Sequence, residues 1–99
     1  MAKPIKVIIK KSTKPEKKLM AIFTMDNGRT RTTHFGASGM ADYTKTRDKE
    51  QKQRYLKRHR RNENWNNPLS AGALSRWILW NKETRGASIN DFKRRFNLK

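Results

Sequence analysis

Eight lysines and arginines fall within fifteen residues in the stretch RDKEQKQRYLKRHRR, Arg47 to Arg61. Two acids, Asp48 and Glu50, sit near its start, and Tyr55 and Leu56 supply its apolar content. Cations at this density suit phosphate. Each contact releases a condensed counterion, so six to ten of them make affinity fall by about three to five decades between 50 and 200 mM salt. The segment nominates Arg47, Lys49, Lys52, Arg54, Lys57, Arg58, Arg60 and Arg61 as nucleic-acid phosphate contacts, with Tyr55 and His59 beside them as stacking or hydrogen-bonding groups. Tyr43 and Trp65 add two further flat side chains. Taken one at a time, each aromatic suits a core as well as it suits a base. Nothing in the spacing supports base readout: there is no zinc-finger pattern, and no heptads extend the basic segment into a zipper.

The same inventory offers little for catalysis. The histidines are His34 and His59. His34 falls in an alternating, strand-like stretch and His59 among cations. Of the few acids, Asp42, Asp48 and Asp91 stand where helix caps are needed. Ser38 lies between glycines in GASG but lacks the spacing of a nucleophile elbow, and no helix follows directly. No His, Asp or Glu cluster has metal-ligand spacing, and the glycine loop is too short to cradle phosphate. The expectation is a non-enzymatic protein with no cofactor.

Composition points the same way. The 99 residues carry 25 Lys and Arg against eight Asp and Glu, a formal net charge of +17. Hydrophobic residues make up 33%, a balance that borders on disorder. Three Trp, four Phe and two Tyr, concentrated in the second half, argue for a small core instead. One small basic domain over residues 1–99 is expected. Like charges repel over roughly 10 Å at 0.1 M salt, and a polyanionic partner relieves that repulsion. Nucleic acid is the first candidate, an anionic membrane surface the second and an acidic protein surface the third. The basic segment lacks the broad apolar face of an interfacial helix, which sets the membrane aside. With no cysteine, disulfides and thiolate metal sites are excluded. No apolar run approaches the roughly 20 residues that cross a bilayer. The opening MAKPIKVIIKK is too short and interrupted for a signal peptide. These features predict a protein that stays inside the cell, or inside a particle assembled there, and is not secreted.

The elements that must position the cations read in two halves. KPIKVIIKK alternates, with Ile5, Val7 and Ile9 on one face of a strand. KLMAIFTM is a second strand, and Asn27-Gly28 signals a two-residue hairpin turn. That turn pairs Asp26 with Arg29, Ile22 with Thr33 and Met20 with Phe35, gathering Met20, Ile22, Thr33 and Phe35 on one face. A three-stranded antiparallel sheet over about 4–11, 18–26 and 29–35 follows. Beyond GASG the period becomes helical, giving an α+β fold with three to four helices over about 41–46, 48–61, 68–81 and 88–97. Asp42 is the expected cap of the first. The second, the basic segment, has acids in its first turn and arginines in its last, as the helix dipole favours. Asn67 and Pro68 are placed to open the third, whose stripe of Leu74, Trp77 and Ile78, widened by Leu79 and Trp80, is the expected core. Ser88 and Asp91 have capping-box spacing at the start of the fourth, with Ile89, Phe92 and Phe96 along one side.

HFG at 34–36, DYT at 42–44, RYLKRH at 54–59, ENWNNP at 63–68, SAGALSRWILWNK at 70–82 and SI at 88–89 belong to a stretch, residues 33–96, that resembles a family of small basic uncharacterised proteins of large nucleocytoplasmic DNA viruses, the giant and algal viruses. The resemblance implies a viral origin and a shared fold, with no biochemical activity attached. Viruses of this kind compact a genome and build capsids from many small accessory proteins. The resemblance therefore implies a protein of the virion or of the host cytoplasm or nucleus. It would bind nucleic acid, DNA or RNA, in genome packaging, or act as a minor capsid or core protein docking on acidic surfaces of other viral proteins.

Overall fold

The computed structural model describes residues 2–61 and 63–99. Three strands, β1 (Pro4–Lys11), β2 (Lys17–Met25) and β3 (Thr30–Ala37), form an antiparallel sheet in the order β1-β2-β3. Four helical segments follow: α1 (Tyr43–Thr46), α2 (Lys49–His59), α3 (Ala71–Leu74) and α4 (Arg85–Arg95), with a π-helical turn, Ser75–Leu79, continuing α3. The α+β class and the order of elements are those the sequence predicts.

The register of the hairpin is not. β2 and β3 pair as Leu19↔Phe35, Ala21↔Thr33 and Phe23↔Arg31, one residue away from the expected pairing. The reason lies in the turn. A two-residue turn would hold both Asn27 and Gly28 at positive φ, but only Gly28 adopts it, at +85°. Gly28 N–H donates to the Met25 carbonyl (3.0 Å) and Met25 N–H to the Arg29 carbonyl (2.8 Å). The loop thus has three residues, Asp26 to Gly28, with the glycine as a left-handed bulge. One residue of slip exchanges the two faces of β2. Leu19, Ala21, Phe23 and Met25 are buried, whereas Met20 and Ile22 are only partly so. β2 is apolar on both faces, so its own pattern does not select between the registers. The chosen one buries the larger set, including Phe23.

The helices cover the face that holds Val7, Leu19, Phe23 and Phe35, and their own apolar residues Leu74, Ile78, Leu79 and Phe92 complete the core. The Trp80 N–H donates to the Ser75 carbonyl (3.1 Å), the i→i−5 bond of a π turn. The wider turn presents Leu74, Ile78, Leu79 and Trp80 together to the core, while Trp77, expected on the central stripe, is only partly buried at its edge. Gly36 makes a tight approach possible beneath them. It sits at φ +80°, and a Cβ there would lie 2.8 Å from Leu79 Cδ1.

Two helix starts differ from expectation. Ser70, not Asn67, caps α3, accepting from Ala73 N–H at 3.1 Å; Asn67 instead closes the preceding turn through Leu69 N–H (3.1 Å). α4 begins at Thr84, whose hydroxyl accepts from Ala87 N–H (3.2 Å). Ser88 and Asp91 lie inside that helix. The buried Ser88 hydroxyl accepts from Lys82 N–H (3.0 Å), and Asp91 accepts from Asn81 Nδ2 (2.7 Å) and Arg94 (3.0 Å). Both polar groups are used to fasten the 81–84 connection to α4 rather than to start the helix.

Candidate nucleic-acid interface

α2 is set by its two ends. Arg47 takes a left-handed conformation, φ +53°, and its N–H donates to the Tyr43 carbonyl (2.8 Å), closing α1. Asp48 then caps α2, its Oδ1 accepting from Glu50 N–H (3.0 Å) and Gln51 N–H (3.2 Å). Asp42 fixes the approach to both helices. It is 1% exposed, caps α1 through Thr44 N–H (3.0 Å), accepts from the Thr44 hydroxyl, and meets Lys18 Nζ of β2 at 2.6 Å. Burial by itself would raise the Asp42 carboxyl. The hydrogen bonds from Lys18 and Thr44 and the Lys18 charge together outweigh it and hold the group below its ordinary value. The sheet is thereby tied to the start of the helical half by an ion pair removed from solvent.

One edge of α2 rests on the core. The Tyr55 ring lies buried between Trp80, stacked at 4.5 Å and 7°, and His59, at 4.4 Å and 29°. Its hydroxyl is pushed up, first by burial and then by the Glu63 charge. His59 Nδ1 shares a hydrogen bond of 2.5 Å with Glu63 Oε1, and Glu63 Oε2 accepts from Trp65 Nε1 (3.2 Å). Lys52 Nζ donates to the Asn81 carbonyl (2.8 Å) and sits 4.9 Å from the centre of the Tyr43 ring. Its ammonium is held below the ordinary lysine value by desolvation, then by the charges of Arg76, Lys82 and Lys49.

This arrangement divides the ten expected contact residues. Tyr55 leaves the set: a ring sandwiched inside the domain has no face for a base. Tyr43, named outside the ten as a further flat side chain, is buried as well. Lys52 and His59 have internal partners. Arg47, Lys49, Arg54, Lys57, Arg58, Arg60 and Arg61 are exposed. Among the described residues none of these seven makes a salt bridge; the ion pairs involve Lys18, His59, Arg94 and Arg95. At 100° per residue, Arg54, Lys57 and Arg61 lie on the side opposite Tyr55 and Lys52. The result is a row of free cations on a helix whose other edge is fixed.

Sequence reasoning missed a second positive region. Arg95 lies 3.7 Å from the Trp77 ring centre on α4's side, and Arg76 lies 4.2 Å from the same ring. Trp77 Nε1 donates to the Trp65 carbonyl (2.8 Å), joining the loop after α2 to the stack. Arg76 donates to the Trp80 carbonyl (3.0 Å), and its Nε is buried without a partner among the described residues. Desolvation, then the Arg95 charge, lowers the Arg76 guanidinium. Arginines at alternate ends of a Trp-bearing sequence are visible in the chain; that 76 and 95 meet across one indole is a fact of packing.

His34 Nδ1 is 2.7 Å from the Ser12 hydroxyl, a contact between β3 and the loop that follows β1. Among the described residues no three His, Asp or Glu side chains gather in a metal-holding arrangement, and no helix is long and apolar enough to cross a membrane.

No curated protein and no solved structure matches the chain. A family model does, over residues 7–59. The match takes in β1 from Val7 onward, all of β2 and β3, and runs through α1 to the last residue of α2. It therefore joins the Lys18–Asp42 tie and the basic helix in one unit, and the chain belongs to the family of unknown function DUF5754.

Proposed function

We propose that this protein is a non-enzymatic accessory protein that binds nucleic acid through phosphates, without reading sequence, along the solvent face of α2. The observation that carries the reading is the row of exposed, unpaired cations, Arg47 to Arg61, on a helix anchored by the Tyr55–Trp80 stack. A fixed helix needs no backbone ordering on binding, so the ordering cost is confined to its side chains. A net charge of +17 on 99 residues gives the long-range attraction. The resemblance to proteins of large DNA viruses supports a role in genome packaging or in the virion. A second reading, a minor capsid or core protein docking on acidic protein surfaces, is favoured by cations that lie away from α2, at Lys10, Lys11 and Lys45.

The test is a titration of fluorescent duplexes of unrelated sequence at 50 to 200 mM salt. Seven contacts at roughly 0.9 each predict a slope of log K on log salt near −6. Equal slopes for all duplexes are expected, because phosphate contacts carry no base information. No binding to any duplex or single strand at 50 mM salt would remove this reading.

A further inference from the structure

β1 is an edge strand, and part of its outer edge is already paired. Lys99 N–H donates to the Ile5 carbonyl (3.1 Å), and the Lys99 carbonyl accepts from Val7 N–H (2.9 Å). Odd-numbered residues of β1 therefore direct their backbone groups outward. Ser12 N–H donates to the Lys18 carbonyl of β2 (3.1 Å), which agrees with even-numbered residues facing inward. Ile9 and Lys11 continue the outer edge past Val7, and no backbone hydrogen bond fills it there among the described residues. A row of unfilled N–H and C=O groups is a template for another strand.

A groove of about 470 Å³ runs along this open section. Its floor is apolar: Ile9, the buried Leu19, and Ile89 from α4. Its rim is cationic. Lys10 and Lys11 come from β1, Lys45 from α1 and Arg85 from the first turn of α4, and all four are exposed. None has a carboxylate partner among the described residues, and no acid lines the groove. Lys18 also borders it, with its ammonium held by Asp42.

We propose that this groove binds an extended acidic segment of another protein, which adds to β1 as a fourth strand. Its backbone would continue the pairing that Lys99 begins, at Ile9 and Lys11. Alternate side chains of such a strand point to opposite faces, so apolar residues at every second position would meet Ile9 and Ile89. Acids at the two ends of that same face would meet Lys11, Lys45 and Arg85, and the acids between the apolar residues, on the opposite face, would meet Lys10. This is the strand-addition mode, in which main-chain bonds give affinity and pockets for alternate side chains give selectivity. The lysines choose the partner's sign. A second copy of this chain, itself at +17, is repelled from the edge, whereas an acidic strand is drawn to it. Duplex DNA is a poorer fit, since a phosphate backbone uses neither an apolar floor nor open amide groups. The site is separate from the α2 surface and does not depend on it.

The experiment titrates the ¹⁵N-labelled full chain at 50 mM salt with a capped seven-residue peptide in which Glu and Val alternate through the centre and Glu stands at both ends, Glu-Glu-Val-Glu-Val-Glu-Glu. The expected result is saturable binding, with shifted and exchange-protected amides at Ile9 and Lys11. A peptide of the same composition with its acids and valines in two blocks should bind at least tenfold more weakly. Lys11→Pro removes an outward N–H that β2 does not use and should weaken binding at least tenfold. The double variant Lys45→Glu/Arg85→Glu, which leaves the strands unaltered, should do the same and decides the matter if the proline variant fails to fold. Arg54→Gln/Lys57→Gln/Arg61→Gln should bind the peptide as the wild type does. The proposal is overturned if the alternating peptide does not bind, or if it binds no better than the blocked one. It is equally overturned if a short DNA duplex shifts the Ile9 and Lys11 amides and displaces the peptide, which would make the groove a nucleic-acid site.

Discussion

Replacing Arg54, Lys57 and Arg61 together with Gln isolates the charge of α2 from its structure. All three are exposed and lie opposite the Tyr55 anchor. Gln is close to Lys and Arg in helix propensity, so the helix is kept. Seven exposed cations, each worth about 0.9 in the salt slope, give the wild type a slope near −6; removing three leaves a slope near −4. Over a fourfold rise in salt from 50 to 200 mM, the wild type then loses about four decades of affinity and the variant about two. Fluorescence anisotropy with a short duplex reads both slopes, and a thermal melt confirms that the fold is intact. Because like charges are thinned on one surface, the variant should melt at or slightly above the wild-type temperature. An unchanged slope in a folded variant would refute the assignment of phosphate contacts to α2 and move them to the lysines of the sheet or to the Arg76–Trp77–Arg95 stack.

Three further outcomes follow from the packing. Phe92→Ala, at a side chain with no exposure, should cost about 3–5 kcal/mol in chemical denaturation, and Trp77→Ala should cost clearly less, because that ring is only partly buried; a reversed order would put Trp77 inside the core and refute this packing. Gly36→Ala introduces a Cβ 2.8 Å from Leu79 Cδ1 at φ +80° and should destabilise by more than Gly39→Ala, which has the same φ and open space, the shared backbone cost being about 1–2 kcal/mol. In acid, Asp42 and Asp91 both have folded-state values held below the ordinary carboxylate value of about 3.9. Their contribution is complete above that pH and is lost as pH falls through the lowered folded values, so the melting temperature should drop below about pH 4, and Asp42→Asn should start lower and show a shallower acid limb.

The order of elements was legible because each carried a local signature: alternation in KPIKVIIKK, the Asp48 cap, the unbroken run of helix formers to His59. What was not legible was decided between elements. The hairpin register turned on whether Asn27 joins Gly28 at positive φ, and no pattern in β2 could arbitrate, since Met20 and Ile22 are as apolar as Leu19 and Phe23. The caps of α3 and α4 moved because Asn67 and Ser88 have competing uses, one in a turn and one as a buried acceptor for Lys82. The 3.6-residue period that predicts a core position for Trp77 is interrupted by the π turn.

Contacts between elements also sort the residues of the basic segment. Its eight cations were visible as a count, yet a count does not say which are free. Lys52 was drawn inward by a carbonyl and a ring, His59 by Glu63, and Tyr55 by Trp80. All three lie on one edge of the helix, spaced by three and four residues, as a packed edge requires. That spacing was present in the sequence, but lysine and histidine do not announce themselves as packing residues. Their use as anchors is what leaves the other side of α2 free. Three polar or aromatic side chains, with Leu56 packed partly buried beside them, bind the helix to the domain with little apolar surface, so most of the remaining positions are free to carry charge. A basic helix held by an apolar stripe would give up those positions. This one keeps seven exposed cations on an eleven-residue helix and its flanking turns, and their concentration follows from how the anchor is built.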